Sequence, residues 1–169
     1  MRSLLYDAFE HHSWATLNVI DAGRALPEPL LHVTVLGTYG TIDETLHHLV
    51  ESDSYYLDDF LGGWLARQRP TSSLVDLREL AVMQAQAWAA LLEGDLDVDE
   101  VIHEVDPDTG YERDATVGLR LAQALHHGSD HRSQICTTLS AHGVTPPPVS
   151  VWDWGFALGR AREVLPEGH

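Results

Sequence analysis

Residues 116–143 read TVGLRLAQALHHGSDHRSQICTTLSAHG, and the fold turns on how this run is taken. Val117, Leu121, Leu125, Ile135 and Leu139 recur on one stripe of a 3.6-residue period, and no proline interrupts them. The spacing predicts one long amphipathic helix from near Thr116 to Gly143. His127 and His131 lie four residues apart, about 40° around the helix from each other, so both sit on the flank of the stripe and point toward an inter-helix groove. Arg120, Gln134 and Thr138 share that flank. His126 falls nearly opposite the stripe and reads as a solvated surface histidine.

A helix with such a stripe needs partners to cover it, and the rest of the chain supplies three. Residues 3–25 carry Leu5, Phe9, His12, Thr16 and Val19 at three- and four-residue steps, ended by Pro27 and Pro29. Thr41-Ile42-Asp43-Glu44 has capping-box spacing and opens a helix running to about Leu61, before Gly62-Gly63. A third helix starts after Ser73, carries Leu74, Leu77, Val82, Ala85 and Trp88, and ends at Gly94. The stretch Leu30–Gly40 reads as a packed connection. Between Asp95 and Asp114, Val101-Ile102-His103-Glu104-Val105 precedes Asp106-Pro107-Asp108-Thr109-Gly110, a turn sequence that predicts a small β-hairpin. Pro146-Pro147-Pro148 closes the long helix region, and a last short helix is expected from about Val151 to Arg162. Four long amphipathic helices pack best as a four-helix bundle, one domain over residues 1–169.

Charge narrows the function. All ten basic residues are arginine, and against 26 acids they leave a net charge of −16. Nucleic acids and anionic membranes both attract basic surfaces, so neither is an expected partner. One cysteine, Cys136, cannot close an intramolecular disulfide, and the first residues lack the apolar core of a signal peptide, so a cytoplasmic location is expected. Cys136 lies on the core side of its helix and reads as an inert buried thiol. The acidic run Asp95, Asp97, Asp99 and Glu100 reads as a solvated loop with at most weak affinity for a divalent cation. No nucleophile elbow, phosphate-cradling glycine loop or Cys-x-x-Cys pair occurs.

Eleven histidines remain. Two imidazoles hold a first-row metal weakly, so His127 and His131 need a third ligand from elsewhere. His47 and His48 flank the stripe Ile42, Leu46, Leu49, Tyr56 and Phe60 on opposite sides, so the helical wheel does not choose between them. Their neighbours tilt the choice toward His48, which shares a side with Thr41, Glu44, Ser52 and Tyr55, whereas His47 shares its side with Asp43, Ser54 and Asp58. His12 lies on an apolar stripe and reads as a core or rim histidine that could line a pocket. His11, His103, His142 and His169 call for no functional reading, and His142 suits a helix C-terminus.

Three segments together resemble the DinB/YfiT-like family, which is distinct from the lesion-bypass polymerase of the same label. Thr41-Ile42-Asp43-Glu44-Thr45-Leu46-His47-His48-Leu49 is similar to the family's second-helix segment, whose ligand histidine stands just before an apolar residue, and this alignment selects His48. His127-Gly128-Ser129-Asp130-His131-Arg132-Ser133-Gln134-Ile135 looks like the family's His-x-x-x-His-Arg-Gly-Gln motif, with Ser133 in place of the usual Gly and Asp130 where a histidine is common. Gly143-Val144-Thr145-Pro146-Pro147-Pro148 with Trp152-Asp153-Trp154 resembles the closing turn and final helix, and Trp14-Ala15 in the first helix also fits.

The resemblance implies an up-down-down-up four-helix bundle, with zinc or nickel held by His48, His127 and His131, often in a homodimer. It also implies small-molecule chemistry, because family members include bacillithiol- or mycothiol-dependent S-transferases and maleylpyruvate isomerases. Three neutral imidazoles on a divalent ion leave a position open for a ligand, as in catalytic rather than structural zinc sites. A thiol there would be deprotonated and a water would become a usable nucleophile. The expected activity is a metal-dependent transferase joining a low-molecular-weight thiol to an electrophile, with a hydrolase as the alternative. Arg132 or Arg120 is expected to bind a cosubstrate carboxylate, and Glu44 or His12 to accept a proton or orient a ligand. A third reading, a non-catalytic metal- or ligand-binding dimer, predicts a closed site with Glu44 or a residue of a second subunit in the fourth position.

Overall fold

The structure, a computed structural model, describes residues 3–63, 73–105 and 109–164. The elements in chain order are α1 (Leu4–Arg24), α2 (Glu28–Leu31), α3 (Ile42–Leu61), α4 (Leu74–Glu93), β1 (Val101–Val105), β2 (Glu112–Thr116), α5 (Val117–Ala141) and α6 (Val151–Ala157). Side-chain caps fix most of the starts. Ser3, Thr41, Ser73, Thr116 and Ser150 each accept a hydrogen bond from a backbone N–H in the first turn of α1, α3, α4, α5 and α6. Thr41 and Glu44 complete the capping box, the Glu44 carboxylate accepting from the Thr41 N–H at 2.8 Å. Gly62, at φ +62°, ends α3 in the left-handed conformation that glycine adopts without strain.

Three expectations need correction. Pro29 does not simply end the first helix: it sits in the opening turn of α2, where its missing N–H is not needed. The Leu30–Gly40 connection is packed only through residues such as Leu31 and Val33, and Leu36 is fully exposed. The final helix stops at Ala157 rather than Arg162, because the chain leaves the helix at Leu158 and turns through Gly159 at φ +66°. On α4, Ala81 and Gln84 join Leu77 and Trp88 on the buried face, and Val82 and Ala85 are only half-buried. The hairpin is antiparallel, with His103 opposite Asp114 and bonded to it at 2.9 Å. Residues 106–108 of its expected turn, and His169, lie outside the described residues.

The four long helices form a ring in which α1 touches α4 and α5, and α3 touches the same two. Pairings along the helices give their directions. Asp21 near the end of α1 meets Arg78 near the start of α4, and Phe9 meets Trp88, so these two run antiparallel. Gln84 bonds the Val50 carbonyl and Ser54, while Leu46 packs with Leu77 and Leu57 with Trp88, so α3 and α4 run parallel. Phe9 clusters with Leu121, and Val19 and Ile20 with Leu139, so α1 and α5 are also parallel. The order is up, down, down, up.

Two apolar clusters fill the bundle. One gathers Val19, Ile20, Ile42, Leu46, Leu49, Leu77, Ile135 and Leu139; the other gathers Phe9, Leu57, Trp88, Val117, Leu121 and Ala124. Between them each of the four long helices places a buried polar residue: His12 and Thr16, Asp53, Gln84, and Arg132. Within this belt Gln84 bonds the Val50 carbonyl and Ser54, and the other members bond one another, as buried polar groups must. Arg132 donates to His12 Nδ1 at 3.2 Å and to Thr16 Oγ1 at 3.0 Å. With Nδ1 accepting, His12 donates through Nε2 to Asp53 Oδ1 at 3.1 Å, and the Trp88 indole donates to Asp53 Oδ2 at 3.0 Å. Among the described residues, no helix is long and apolar enough to cross a membrane.

Candidate metal centre

α5 and α3 pack side by side, and where they meet His48, His127 and His131 converge. The four-residue step on α5 places His127 and His131 with ring centroids 4.4 Å apart. His48, about two turns past the Thr41 cap, approaches these rings at 5.0 and 4.7 Å. One nitrogen from each ring lies within 4.8 Å of the other two. The Nε2 atoms of His48 and His127 are 3.2 Å apart. Two nitrogens bound to one tetrahedral ion at about 2.0–2.1 Å stand roughly 3.3 Å apart, so the spacing suits a shared cation.

The electrostatics point the same way. Burial lowers the pKa of all three rings. His127 is pushed down to about 4, first by burial and then by its histidine neighbours. All three are neutral near pH 7, the protonation state that binds a metal. His131 is the most enclosed, at 8% exposure, and its Nδ1 is buried with no hydrogen-bond partner among the described residues. An orphaned polar atom inside a bundle calls for an ordered ligand or ion, and a three-imidazole donor set suits zinc, nickel, copper or iron.

Two tyrosines wall the cluster. Tyr39 stacks on His48 with centroids 4.1 Å apart and planes 12° from parallel, and meets His131 edge-on at 5.3 Å. Its backbone N–H donates to Gln134 Oε1 at 2.9 Å, so the glutamine one turn past His131 pins the loop that carries the tyrosine. Tyr56 stands edge-on to His127 at 5.7 Å. The mouth, at the His48 edge of the cluster, is an open pocket of about 540 Å³ lined by Tyr39, Glu44, His47, His48 and Glu51, without His127 or His131.

The other residues singled out in the sequence lie elsewhere. His47 is on the rim, 3.9 Å from Asp43, outside the cluster. Glu44 faces the mouth, but its carboxylate is held below the usual range by the Thr41 N–H it accepts from, which makes it a poor proton acceptor. Arg120 is buried among Asp59, Glu104 and the Ile102 carbonyl, where it fastens the hairpin to α3. His12 and Arg132 are both buried in the polar belt and turned toward Asp53 and Thr16. Gly128, between the two helix-borne histidines, makes that belt possible: a Cβ there would lie 2.4 Å from His12 Cε1 and 2.8 Å from the Arg132 guanidinium.

Two of these participants escaped the sequence reading. Tyr39 lies in a connection with no periodicity to announce it. Asp53 did leave a signal, since an acid four residues after Leu49 falls on the apolar stripe of α3.

Residues 1–156 match the family described as DinB family. The chain is also similar to Protein DinB of Bacillus subtilis (strain 168), at 20% identity over 168 residues, covering 94% of this chain and 95% of that protein.

Proposed function

Because this chain belongs to the DinB family, we propose that it is a metal-dependent transferase, holding zinc or nickel through His48, His127 and His131 and joining a small-molecule thiol to an electrophilic carbon. The observation that carries the reading is the convergence of three neutral imidazoles, one of which, His48, lines an open pocket. A divalent ion so held supplies a Lewis acid with free positions, at which a thiol loses its proton readily. The transfer forms a carbon–sulfur bond as the leaving group departs with its electron pair, and the thiol proton passes to solvent.

The chain's own residues prepare that chemistry. α3 and α5 fix the three rings, the polar belt holds α5 in register with α1 and α3, and Tyr39 and Tyr56 shelter the imidazoles from bulk water. Glu44 is committed to its capping box, which argues against its filling a fourth position and favours an open, reactive site over a closed one. The proposed setting is the cytoplasm, in a homodimer, with a small molecule as substrate.

Elemental analysis of untagged protein tests the reading first. Wild type should carry about one metal ion per chain, and His48→Ala, His127→Ala and His131→Ala should each lose it. Wild type that carries no metal, and takes up none on dialysis against zinc or nickel, sinks the proposal. With metal bound, product analysis decides the reaction: adduct formation that needs thiol supports the transferase, and turnover without thiol marks hydrolysis instead.

A further inference from the structure

The pocket at the His48 edge of the cluster holds two carboxylates, Glu44 and Glu51, and no arginine among the described residues. Five of the ten arginines are engaged elsewhere. Arg132, next in sequence to His131, is 4% exposed and turned inward onto His12 and Thr16. Arg120 is held by Asp59 and Glu104, Arg24 and Arg78 by Asp21, and Arg160 by Asp7. Further acids stand nearby. Asp43 lies beside His47 on the rim, and Asp130 is exposed on α5 between the two helix-borne histidines. The field of these acids reaches the rings: Glu51 acts on His48, and Asp130 on both His127 and His131. The net charge of −16 extends the same sign outward.

We infer that this site takes ligands whose metal-directed atom is attached to an uncharged or cationic body, and that it discriminates against carboxylate-bearing ones. The inference deepens the metal-dependent reading above and rests on it. A carboxylate entering the mouth would meet Glu44 and Glu51, with Asp130 nearby on α5 and no guanidinium among the described lining residues to receive it, whereas an ammonium would find partners at the rim. The binding of a cosubstrate carboxylate by Arg132 or Arg120, expected from helix position, has no free guanidinium behind it.

The test uses nickel-loaded protein and three thiols on one two-carbon spacer: cysteamine, 2-mercaptoethanol and 3-mercaptopropionate. Binding is followed through the sulfur-to-nickel charge-transfer band rather than through turnover. Because the thiols differ in intrinsic acidity, the readout is the ratio of cysteamine to 3-mercaptopropionate affinity, compared between wild type and the triple variant E44Q/E51Q/D130N. Glutamine at position 44 preserves the capping box. The ratio should fall about fivefold or more in the variant, and should fall similarly in wild type when salt is raised from about 0.02 to about 0.5 M. An equal ratio in the two proteins overturns the inference and leaves the transferase reading intact. If no thiol binds the nickel-loaded protein, the transferase reading falls, and the same comparison with imidazole and imidazole-4-acetate decides the charge preference alone. Failure to bind either nickel or zinc overturns both.

Discussion

Gly128 is a single residue on which two structural layers depend. A glycine inside a helix is ordinarily worse than alanine by about 1 kcal/mol, so propensity alone predicts that Gly128→Ala stabilises the protein. The 2.4 Å approach of a Cβ to the His12 ring predicts the opposite. Gly128→Ala should lose about 1–3 kcal/mol of stability in urea unfolding as overpacking forces His12 and Arg132 aside; a gain would show that the belt is not packed as described. Cys136 offers a second test at this scale. Burial raises its thiol pKa despite the nearby Arg132 guanidinium, so less thiolate is present at any given pH. Alkylation of Cys136 by iodoacetamide at pH 8 should run slower in folded protein than in urea, and equal rates would count against its burial. Residue-level legibility was uneven for physical reasons. The helical period alone brought His127 and His131 to one flank. It could not decide between His47 and His48, which sit symmetrically about a stripe, and the family resemblance was needed there. Gly128 gave no warning at all, because what it makes room for comes from a helix more than a hundred residues earlier.

Capping and ion pairing set the elements. The box at the start of α3 holds the helix that carries His48, so Thr41→Ala should lose about 1 kcal/mol of stability, read by thermal or urea unfolding, and no change would mean the box contributes nothing in this context. Arg120 has a different task. It joins Asp59 of α3 to Glu104 and the Ile102 carbonyl of β1, so Arg120→Met should release the amides of Val101–Val105 to faster hydrogen exchange while the helical amides stay protected. Simultaneous loss in both would mean the hairpin and bundle open as one unit. Helix starts were legible because serine and threonine caps speak directly in sequence: the Thr41 box and the starts expected after Ser73 and near Thr116 are where α3, α4 and α5 begin. Lengths were less so at the C-terminal end, where Leu158 and Gly159 stop α6 without a proline. The α4 stripe was read one residue off because Gln84, a polar side chain, occupies a buried position through its bonds to Val50 and Ser54.

At the scale of the whole molecule, the bundle is built as two apolar clusters separated by a polar belt, with the histidine cluster beside the belt. A cation bound only by the folded state stabilises it by mass action, by about 2.7 kcal/mol at a hundredfold excess over Kd. For a chain of this size that corresponds to a rise in Tm of about 5–10 °C. Zinc or nickel should therefore raise the Tm of wild type, EDTA should reverse the rise, and His127→Ala should show neither effect; an equal rise in that variant would place the metal elsewhere. The bundle itself was legible from four amphipathic stripes, and its charge from composition. The belt was not, since each of its members reads alone as a misplaced polar residue and gains its meaning only from the other three helices.

The up-down-down-up path also has a consequence for how the protein comes into being. His48 and His127 are separated by 79 residues, and Arg132 and His12 by 120. Neither the cluster nor the belt can close until α5 has left the ribosome. During synthesis the first three long helices therefore wait with His12 and Thr16 lacking their Arg132 partner, a topology of distant pairings that slows folding relative to bundles of neighbouring hairpins. The last long helix translated is thus the one that completes the interior, and a chain truncated before α5 would have no route to a finished site.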